Sequence, residues 1–228
     1  MRKLLLMVLC LVFVLAGSGA FAQEPIKVGV VMGLTGPWAS IDIPSANGIK
    51  LAADQINKAG GVLGRQIELK VVDTKADEGE TVAAVIRLVE IEKVVALLGY
   101  GDTHWVNIAA PLAREYGIPF ITPGATHPRI PERTGAWLAC FGDNVQAAAI
   151  AEYAAKDKGL KKGALWIDTA VDYSVAVTAY FADALKHYGG AVAYQDYFET
   201  SLTDFSAMVA RLKAYQDKGE VDFVYIGA

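Results

Sequence analysis

Three adjacent side chains, Asp102, Thr103 and His104, could carry chemistry because they combine an acid, a hydroxyl and an imidazole. In a catalytic triad such groups converge along one line of hydrogen bonds. Neighbouring residues at the start of a helix point roughly 100° apart, so this spacing argues against catalysis. Gly99 and Gly101 begin a dinucleotide-binding pattern, but His104 occupies the place of its third glycine. The sequence therefore favours noncovalent binding of a small molecule at this turn.

Each residue of this turn has a specific predicted role. Asp102 is predicted to cap the helix that follows, and the hydroxyl and N–H of Thr103 are then free to meet a ligand carboxylate. Trp105 lies on the apolar face of that helix and belongs either to the core or to a pocket. His104 lies beside this face, so the sequence leaves open whether it caps, lines a cleft or is solvated.

Other catalytic and metal-binding patterns are missing from the sequence. It contains no HExxH, no GxSxG and no cysteine–histidine spacing typical of a metal site. Cys140 is the only cysteine outside the first 22 residues, which excludes an internal disulfide from the rest of the chain, and a lone thiol is more often packed than reactive. We therefore predict no metal, no cofactor and no enzymatic activity.

Alternating strand and helix patterns must position this turn. Apolar β-branched runs predict strands over 27–33, 67–73, 94–100, 119–124, 164–168, 191–198 and 222–228. Helical periodicity and end signals predict helices over 45–61, 77–92, 103–116, 145–159, 173–188 and 204–218. The segment 126–135, rich in proline and glycine, is predicted to be a loop. This alternation predicts an α/β fold of parallel sheets flanked by helices.

Four predicted loops follow strands and precede helices, at 33–40, 73–77, 99–105 and 122–128. In a parallel α/β sheet, ligands bind at the carboxyl ends of the strands. These loops are rich in glycine, serine, threonine and aromatic residues, which suit a small polar ligand. The sequence therefore predicts one binding site built from several loops at the same edge of the sheet.

The ends of the chain predict an exported protein in two lobes. Residues 1–22 have two cations, an apolar core and small residues before Gln23, which is typical of a cleaved signal peptide. Its removal takes Arg2 and Lys3 from 21 cations and leaves 19 against 25 acidic residues, a net charge of −6. This balance disfavours nucleic acid as a partner. We predict a first lobe over 23–142 and a second lobe over 143–228.

Five motifs occur along the chain in this order: "KVGVVMGLTGPWAS", "GIKLAADQINKAGGVLGRQIELKVVD", "IPFITPGATHP", "DFSAMVARLK" and "DFVYIGA". The resemblance that they carry is to the periplasmic leucine/isoleucine/valine-binding proteins of ABC importers. It implies a two-lobed Venus-flytrap fold that closes on a branched-chain or related amino acid in the periplasm. It also implies that the protein is a monomer and that it does not insert into the membrane after signal cleavage. Its partner would be an inner-membrane permease, to which it delivers the ligand.

The resemblance also implies which residues of the first lobe hold the ligand. Thr103 and Thr126 would donate to the carboxylate, and the carbonyl of Gly124, in the segment Gly124–Ala125–Thr126, would accept from the ammonium. An aromatic residue after "GP" covers the ligand side chain in this family. Here Trp38 stands nearby, while Ile41 occupies the usual tyrosine position.

Tyr173 matches a tyrosine of the second lobe, with one residue inserted before it. Two features depart from the family pattern. The family has small residues after the first Ser or Thr, whereas His104 and Trp105 are large and could reshape the pocket for another ligand. The family chain continues past "YIGA" with an acidic partner for the ammonium. We therefore expect a truncated chain that binds its ligand weakly or not at all and exposes apolar surface. The alternatives are an extracytoplasmic sensory domain for amides or aromatic acids and an exported hydrolase, for which no converging nucleophile and base are found.

Overall fold

The computed structural model describes residues 23–227, which form two parallel β-sheets with helices packed against them. The first sheet has five strands in the order β2-β1-β3-β4-β5. Its strands are β1 (Ile26–Met32), β2 (Ile67–Asp73), β3 (Ala96–Gly99), β4 (Phe120–Thr122) and β5 (Trp137–Leu138). The second sheet has three strands in the order β7-β6-β8. They are β6 (Lys162–Asp168), β7 (Ala191–Phe198) and β8 (Phe223–Gly227).

Seven α-helices are described between and around these strands. They are α1 (Ala39–Lys58), α2 (Glu78–Ile86), α3 (Thr103–Glu115), α4 (Ile130–Thr134), α5 (Asp143–Glu152), α6 (Asp172–His187) and α7 (Ser206–Asp217). Two of them, α2 and α5, continue into a single π-helical turn, over Arg87–Ile91 and Tyr153–Asp157. All pairings between the strands are parallel, which confirms the predicted fold class.

Each sheet has its own hydrophobic core. The first cluster joins Val31, Leu97 and Phe120 of the sheet to the apolar face of α3. The second joins Leu165 of β6 to Phe181 and other apolar residues of α5 and α6. Burial of such side chains is the main favourable term in folding. Because the strands of each sheet run parallel, the loops that follow them lie at one edge of that sheet.

Helix α1 begins at Ala39, six residues before the predicted start. The carbonyl of Trp38 accepts from the N–H groups of Ile41 and Asp42, both at 3.0 Å. The buried Asp42 carboxylate is in turn bound by two neighbouring loops. These tertiary contacts outweigh the helix-disfavouring effect of Pro44, which lies inside the helix.

The segment 126–135 is not entirely loop, as the sequence predicted, because α4 forms within it. Pro131 lies in the first turn, where a missing N–H is tolerated. The Thr134 hydroxyl donates to the Ile130 carbonyl at 2.9 Å, and Gly135 ends the helix with a φ of 79°. Ile130 is the apolar anchor that buries this short helix against the first core.

Two predictions about the ends stay untested. The predicted signal peptide, residues 1–22, lies outside the described residues. The boundary between the lobes at 142/143 agrees with the separation of the two sheets, but it stays a prediction. No helix in the described part of the chain is long and apolar enough to cross a membrane.

Candidate functional site

The loops that follow β1, β3 and β4 meet at one edge of the first sheet. A Cβ added to Gly124 would lie 2.9 Å from the Cα of Gly101, so the loops after β3 and β4 touch through their glycines. The Asp42 carboxylate accepts from the N–H groups of Gly33 and Gly101, both at 2.8 Å. The predicted convergence of loops at the carboxyl ends of the strands is therefore present.

The turn between β3 and α3 has the predicted cap and one unpaired hydroxyl. The Asp102 carboxylate accepts from the N–H of His104 at 2.9 Å, as expected of an N-cap. Thr103 follows as the first residue of α3 and is only 2% exposed. Its Oγ1 has no hydrogen-bond partner among the described residues. A buried hydroxyl without a partner is unusual, and here it lies at the positive end of a helix dipole.

The loop after β4 is held by one threonine. The Thr122 hydroxyl donates to the Tyr100 carbonyl at 2.6 Å and accepts from the N–H of Ala125 at 2.9 Å. These bonds tie the loop to the turn before α3. The Ala125 carbonyl accepts from the half-buried Cys140 thiol at 3.3 Å. Gly124 and Ala125 are therefore fixed beside the turn that leads to Thr103.

Polar residues of the helices that flank the second sheet contact the loop after β4. The N–H of Asp143 donates to the Thr126 carbonyl at 2.9 Å, which joins the start of α5 to the loop after β4. The Gln146 amide donates to Asp143 Oδ1 at 3.1 Å and to the Tyr173 hydroxyl at 3.2 Å. Thr126, Asp143, Gln146 and Tyr173 thus form one chain of contacts across the junction between the two sheets.

Asp143 has an unusual electrostatic environment. Its side chain is fully buried, and Oδ2 has no hydrogen-bond partner within residues 23–227. Burial raises the pKa of this carboxyl, although the Thr126 hydroxyl, His127 and Gln146 oppose the rise. Burial also raises the pKa of the nearby Tyr225 phenol to about 12, helped by the charges of Tyr173 and Asp143. No described salt bridge includes the Asp143 carboxyl.

His104 and Trp105 occupy different environments. The Trp105 ring is 7% exposed, belongs to the first core, and lies 6.0 Å from the Tyr100 ring between centroids. Trp105 is therefore a core residue, which settles one question that the sequence left open. The His104 imidazole is 46% exposed and its Nε2 lies 3.3 Å from Oε1 of Glu78 at the start of α2. It lies at the rim and not in the core.

The geometry does not assemble a catalytic triad from Asp102, Thr103 and His104. Asp102 bonds the backbone of His104, while the imidazole faces Glu78 and the Thr103 hydroxyl bonds neither of them. Within the described residues, no group of three or more acidic, histidine or cysteine side chains could hold a metal ion. The arrangement suits hydrogen bonding to a small ligand.

Trp38 and Ile41 lie on either side of the start of α1. Trp38 is half-buried and packs against the first core. Ile41 lies directly over the turn before α3, since a Cβ on Gly101 would collide with its Cγ2. Ile41 is therefore the apolar side chain that covers this turn.

Two buried acids, Asp42 and Asp143, belong to this region and were missed by sequence reasoning. Asp42 is 59 residues from the Gly101 amide that it binds, so no local spacing reveals the contact. Asp143 follows Gly142 at the predicted lobe boundary and reads there as an ordinary acidic residue in the first turn of a helix. Two surface grooves, beside Arg114 of α3 and beside Thr178 of α6, lie away from the site.

The chain is similar to known proteins in both sequence and structure. The family model described as periplasmic binding protein matches residues 25–227. The Leu/Ile/Val-binding protein homolog 3 of Brucella melitensis is 31% identical over 218 residues, covering 92% of this chain and 56% of that protein. The chain thus spans little more than half the length of this relative.

Solved structures show the same similarity. The branched-chain amino acid transporter substrate binding protein LivJ of Streptococcus pneumoniae, in complex with isoleucine, superposes with a TM-score of 0.80 and 28% identity. It covers 89% of this chain and 56% of that one. A solute binding protein of an ABC transporter from Rhodopseudomonas palustris, in complex with 3,4-dihydroxybenzoic acid, gives a TM-score of 0.75 and 28% identity over 89% of this chain and 54% of that one.

Proposed function

Because the chain belongs to the periplasmic binding protein family, we propose that it is the solute-binding component of an ABC importer. In this proposal it holds a branched-chain or related amino acid between two lobes and delivers it to a permease in the inner membrane. The similarity to amino-acid-binding relatives and to an isoleucine complex supports the ligand class. The protein acts by binding and not by catalysis.

The observation that carries the proposal is the unpaired hydroxyl of Thr103. It lies buried at the N-terminus of a 13-residue helix, beside the contact between Gly101 and Gly124. Free N–H groups and the dipole at a helix N-terminus favour an anion. A ligand carboxylate at this position satisfies the hydroxyl and neutralises the end of the helix.

The complementary group is the unpaired oxygen of Asp143. A buried carboxylate without a cationic partner is costly, and a ligand ammonium would supply that partner. The Tyr173 hydroxyl lies within the same chain of hydrogen bonds through Gln146. A hydroxyl donor on one side and a carboxylate acceptor on the other complement the two charges of an amino acid zwitterion.

The remaining predicted site residues take subsidiary roles in the proposal. The carbonyl of Gly124 accepts from the ammonium, Ala125 fixes the loop, and Thr126 donates to the carboxylate through its N–H and hydroxyl. His104 lies at the rim. Trp38 supports the start of α1, beside the side-chain end of the ligand.

The cellular setting follows from the family and the N-terminal pattern. Residues 1–22 would direct export and be cleaved, which places the mature protein in the periplasm as a monomer with lobes over 23–142 and 143–228. The predicted absence of nucleic acid, cofactor and metal fits a protein that only carries a solute.

The proposal is tested by titrating the 228-residue chain with leucine, isoleucine, valine and 4-hydroxybenzoate. Isothermal titration calorimetry covers tight binding, and ligand-observed NMR extends the measurement to millimolar dissociation constants. We expect saturable binding of at least one branched-chain amino acid. Binding of 4-hydroxybenzoate and of no amino acid would replace the proposed ligand with an aromatic acid, while binding of none of the four would reject the proposal.

A further inference from the structure

A buried acid with no cationic partner lies beneath the candidate site. Asp42 is in the first turn of α1 and is 2% exposed. Its Oδ2 accepts from the N–H of Gly33 and its Oδ1 from the N–H of Gly101, each at 2.8 Å. No described salt bridge includes this carboxylate. Burying a carboxylate costs free energy unless it is hydrogen-bonded. The question is therefore which loops the two hydrogen bonds of Asp42 hold together.

The two bonds connect loops that belong to neighbouring strands. Gly33 follows β1 and Gly101 follows β3, and these strands pair in parallel. Gly101 lies two residues before Thr103. The position of the Gly101 amide therefore sets where α3 begins and where the unpaired Thr103 hydroxyl lies.

The turn that Asp42 holds is strained. Tyr100 has a φ of 54°, a left-handed value that a bulky residue adopts at a cost. Its hydroxyl is tied to the hydroxyls of Thr81 and Thr74 at 2.8 and 3.0 Å. Tyr100 thus fixes one side of the turn, and Asp42 fixes the other through the next residue. Backbone strain of this kind persists only where the surroundings hold it in place.

We propose that Asp42 is a positioning residue for ligand binding, which holds the Tyr100–Asp102 turn so that Thr103 faces the ligand carboxylate. The inference rests on the binding function proposed above. The Asp42 carboxylate accepts at both oxygens, whereas an asparagine at this position has one acceptor oxygen and one donor group. Asp42→Asn therefore loses one of the two loop contacts while keeping the shape of the side chain.

The chain offers a matched control in Asp73. Its Oδ1 accepts from the N–H of Leu34 at 2.9 Å and of Lys75 at 2.8 Å, and its Oδ2 from the Thr35 hydroxyl at 2.7 Å. Asp73 therefore anchors the same loop after β1 but makes no described hydrogen bond to the turn after β3. Asp73→Asn changes the same chemical group without touching Thr103.

The first test measures the turn without any ligand. Amide hydrogen exchange at Thr103 and His104 is compared with exchange at the core amide of Leu97 in wild type, Asp42→Asn and Asp73→Asn. We expect about tenfold faster exchange at Thr103 and His104, relative to Leu97, in Asp42→Asn alone. Unchanged relative exchange in Asp42→Asn would overturn the inference whether or not the chain binds an amino acid.

The second test is a double-mutant cycle on the binding of leucine. We expect Asp42→Asn to weaken leucine binding about tenfold and Asp73→Asn to change it less than about twofold. The loss caused by Thr103→Val should shrink in the Asp42→Asn background, because the two residues act on one contact. Additive losses, or equal effects of both asparagine variants, would show a merely structural role. A wild type that binds no amino acid rejects the proposed function and leaves the exchange measurement to decide on Asp42.

Discussion

The side chain of Thr103 shows how a single residue links fold to function. Most buried hydroxyls in proteins are paired, because an unpaired one loses its hydrogen bonds to water without replacement. Thr103 lies in the first turn of α3, next to the cap residue Asp102, and its Oγ1 is buried without a described partner. A ligand that accepts from this hydroxyl removes the cost of its burial.

Replacement of Thr103 by valine should therefore weaken ligand binding without unfolding the protein. Valine keeps the shape and removes the hydroxyl, so we expect leucine affinity to fall about tenfold, as for the loss of a hydrogen bond to a charged group. Calorimetry measures the affinity, and thermal unfolding should show no loss of stability. Thr134→Val is the control, because the Thr134 hydroxyl donates within α4 and its loss should lower stability alone. Equal leucine affinity in Thr103→Val and wild type would contradict the prediction.

Asp143 should show a conflict between stability and binding. Burial raises the pKa of its carboxyl in the folded protein, so the folded state holds its proton to higher pH than the unfolded state. The charged form consequently costs stability above the usual carboxyl pKa of about 3.9. Asp143→Asn should raise the free energy of unfolding at pH 7, and this gain should vanish as the pH falls below about 4. Urea unfolding across this pH range measures the effect.

The same variant should bind leucine less well than wild type, since the acceptor for the ammonium is lost. Asp172→Asn is the control, because Asp172 is an exposed acid at the start of α6, and its change should alter stability by less than about 0.5 kcal/mol. A stability gain in Asp143→Asn that persists at pH 3 would show that charge is not its cause.

Among the contacts between elements, the one between the loops after β3 and β4 is the most sensitive to an added side chain. The loops after β3 and β4 meet through Gly101 and Gly124, and a methyl group on Gly124 would lie 2.9 Å from the Cα of Gly101. We expect Gly124→Ala to lower the free energy of unfolding by about 1–3 kcal/mol, as for other overpacked sites, and to weaken leucine binding. Chemical unfolding and calorimetry measure the two effects.

Gly48 provides the comparison, because it lies exposed inside α1 and a methyl group added there would have no atom within 4 Å. Gly48→Ala should stabilise the protein by up to about 1 kcal/mol through helix propensity. If both alanine variants stabilise the protein, the contact between the two loops is not close enough to restrict the site.

Local sequence signals predicted the elements that carry the site. The strand predicted over 94–100, the cap at Asp102 and the periodic residues of α3 placed that helix to within one residue of its observed end. The observed β7, Ala191–Phe198, has the bounds that its apolar run predicted. These signals succeed because they depend on neighbours in sequence: strand propensity, a capping carboxylate and a helical period.

Contacts between distant residues account for what the sequence did not predict. The early start of α1 depends on the hydrogen bonds of Asp42 to two loops, and α4 depends on the burial of Ile130 against the first core. The convergence of Asp143 with Thr126 depends on how the second sheet packs beside the first. None of these contacts has a local pattern, because each joins separate elements only after folding.

At the scale of the whole molecule, apolar side chains remain on the described surface. Trp137 is 68% exposed on the two-residue edge strand β5, and Phe141 and Ile91 are exposed by 63% and 72%. The sequence-based expectation of exposed apolar surface stays a prediction, because single exposed apolar side chains are common on folded proteins. An edge strand with an exposed aromatic side chain is a template for association between molecules.

Trp137→Lys should therefore reduce nonspecific association of the monomer at high protein concentration, without lowering stability. A lysine on an edge strand opposes pairing with another chain, and a surface change of this kind alters the free energy of unfolding by less than about 0.5 kcal/mol. Light scattering over a concentration series measures the association. Trp137→Phe keeps the apolar surface and should associate as wild type does. Equal scattering by the lysine and phenylalanine variants would place the association elsewhere.

The rate at which a thiol reagent labels Cys140 reports on the motion of one loop of the site. The Cys140 thiol donates to the Ala125 carbonyl, and burial raises its pKa, so a thiol reagent should label it slowly while that loop stays in place. Opening of the loop exposes the half-buried sulfur more fully and speeds its labelling. The labelling rate of Cys140 thus reports on this loop, and a solute that holds the loop in place should slow the labelling.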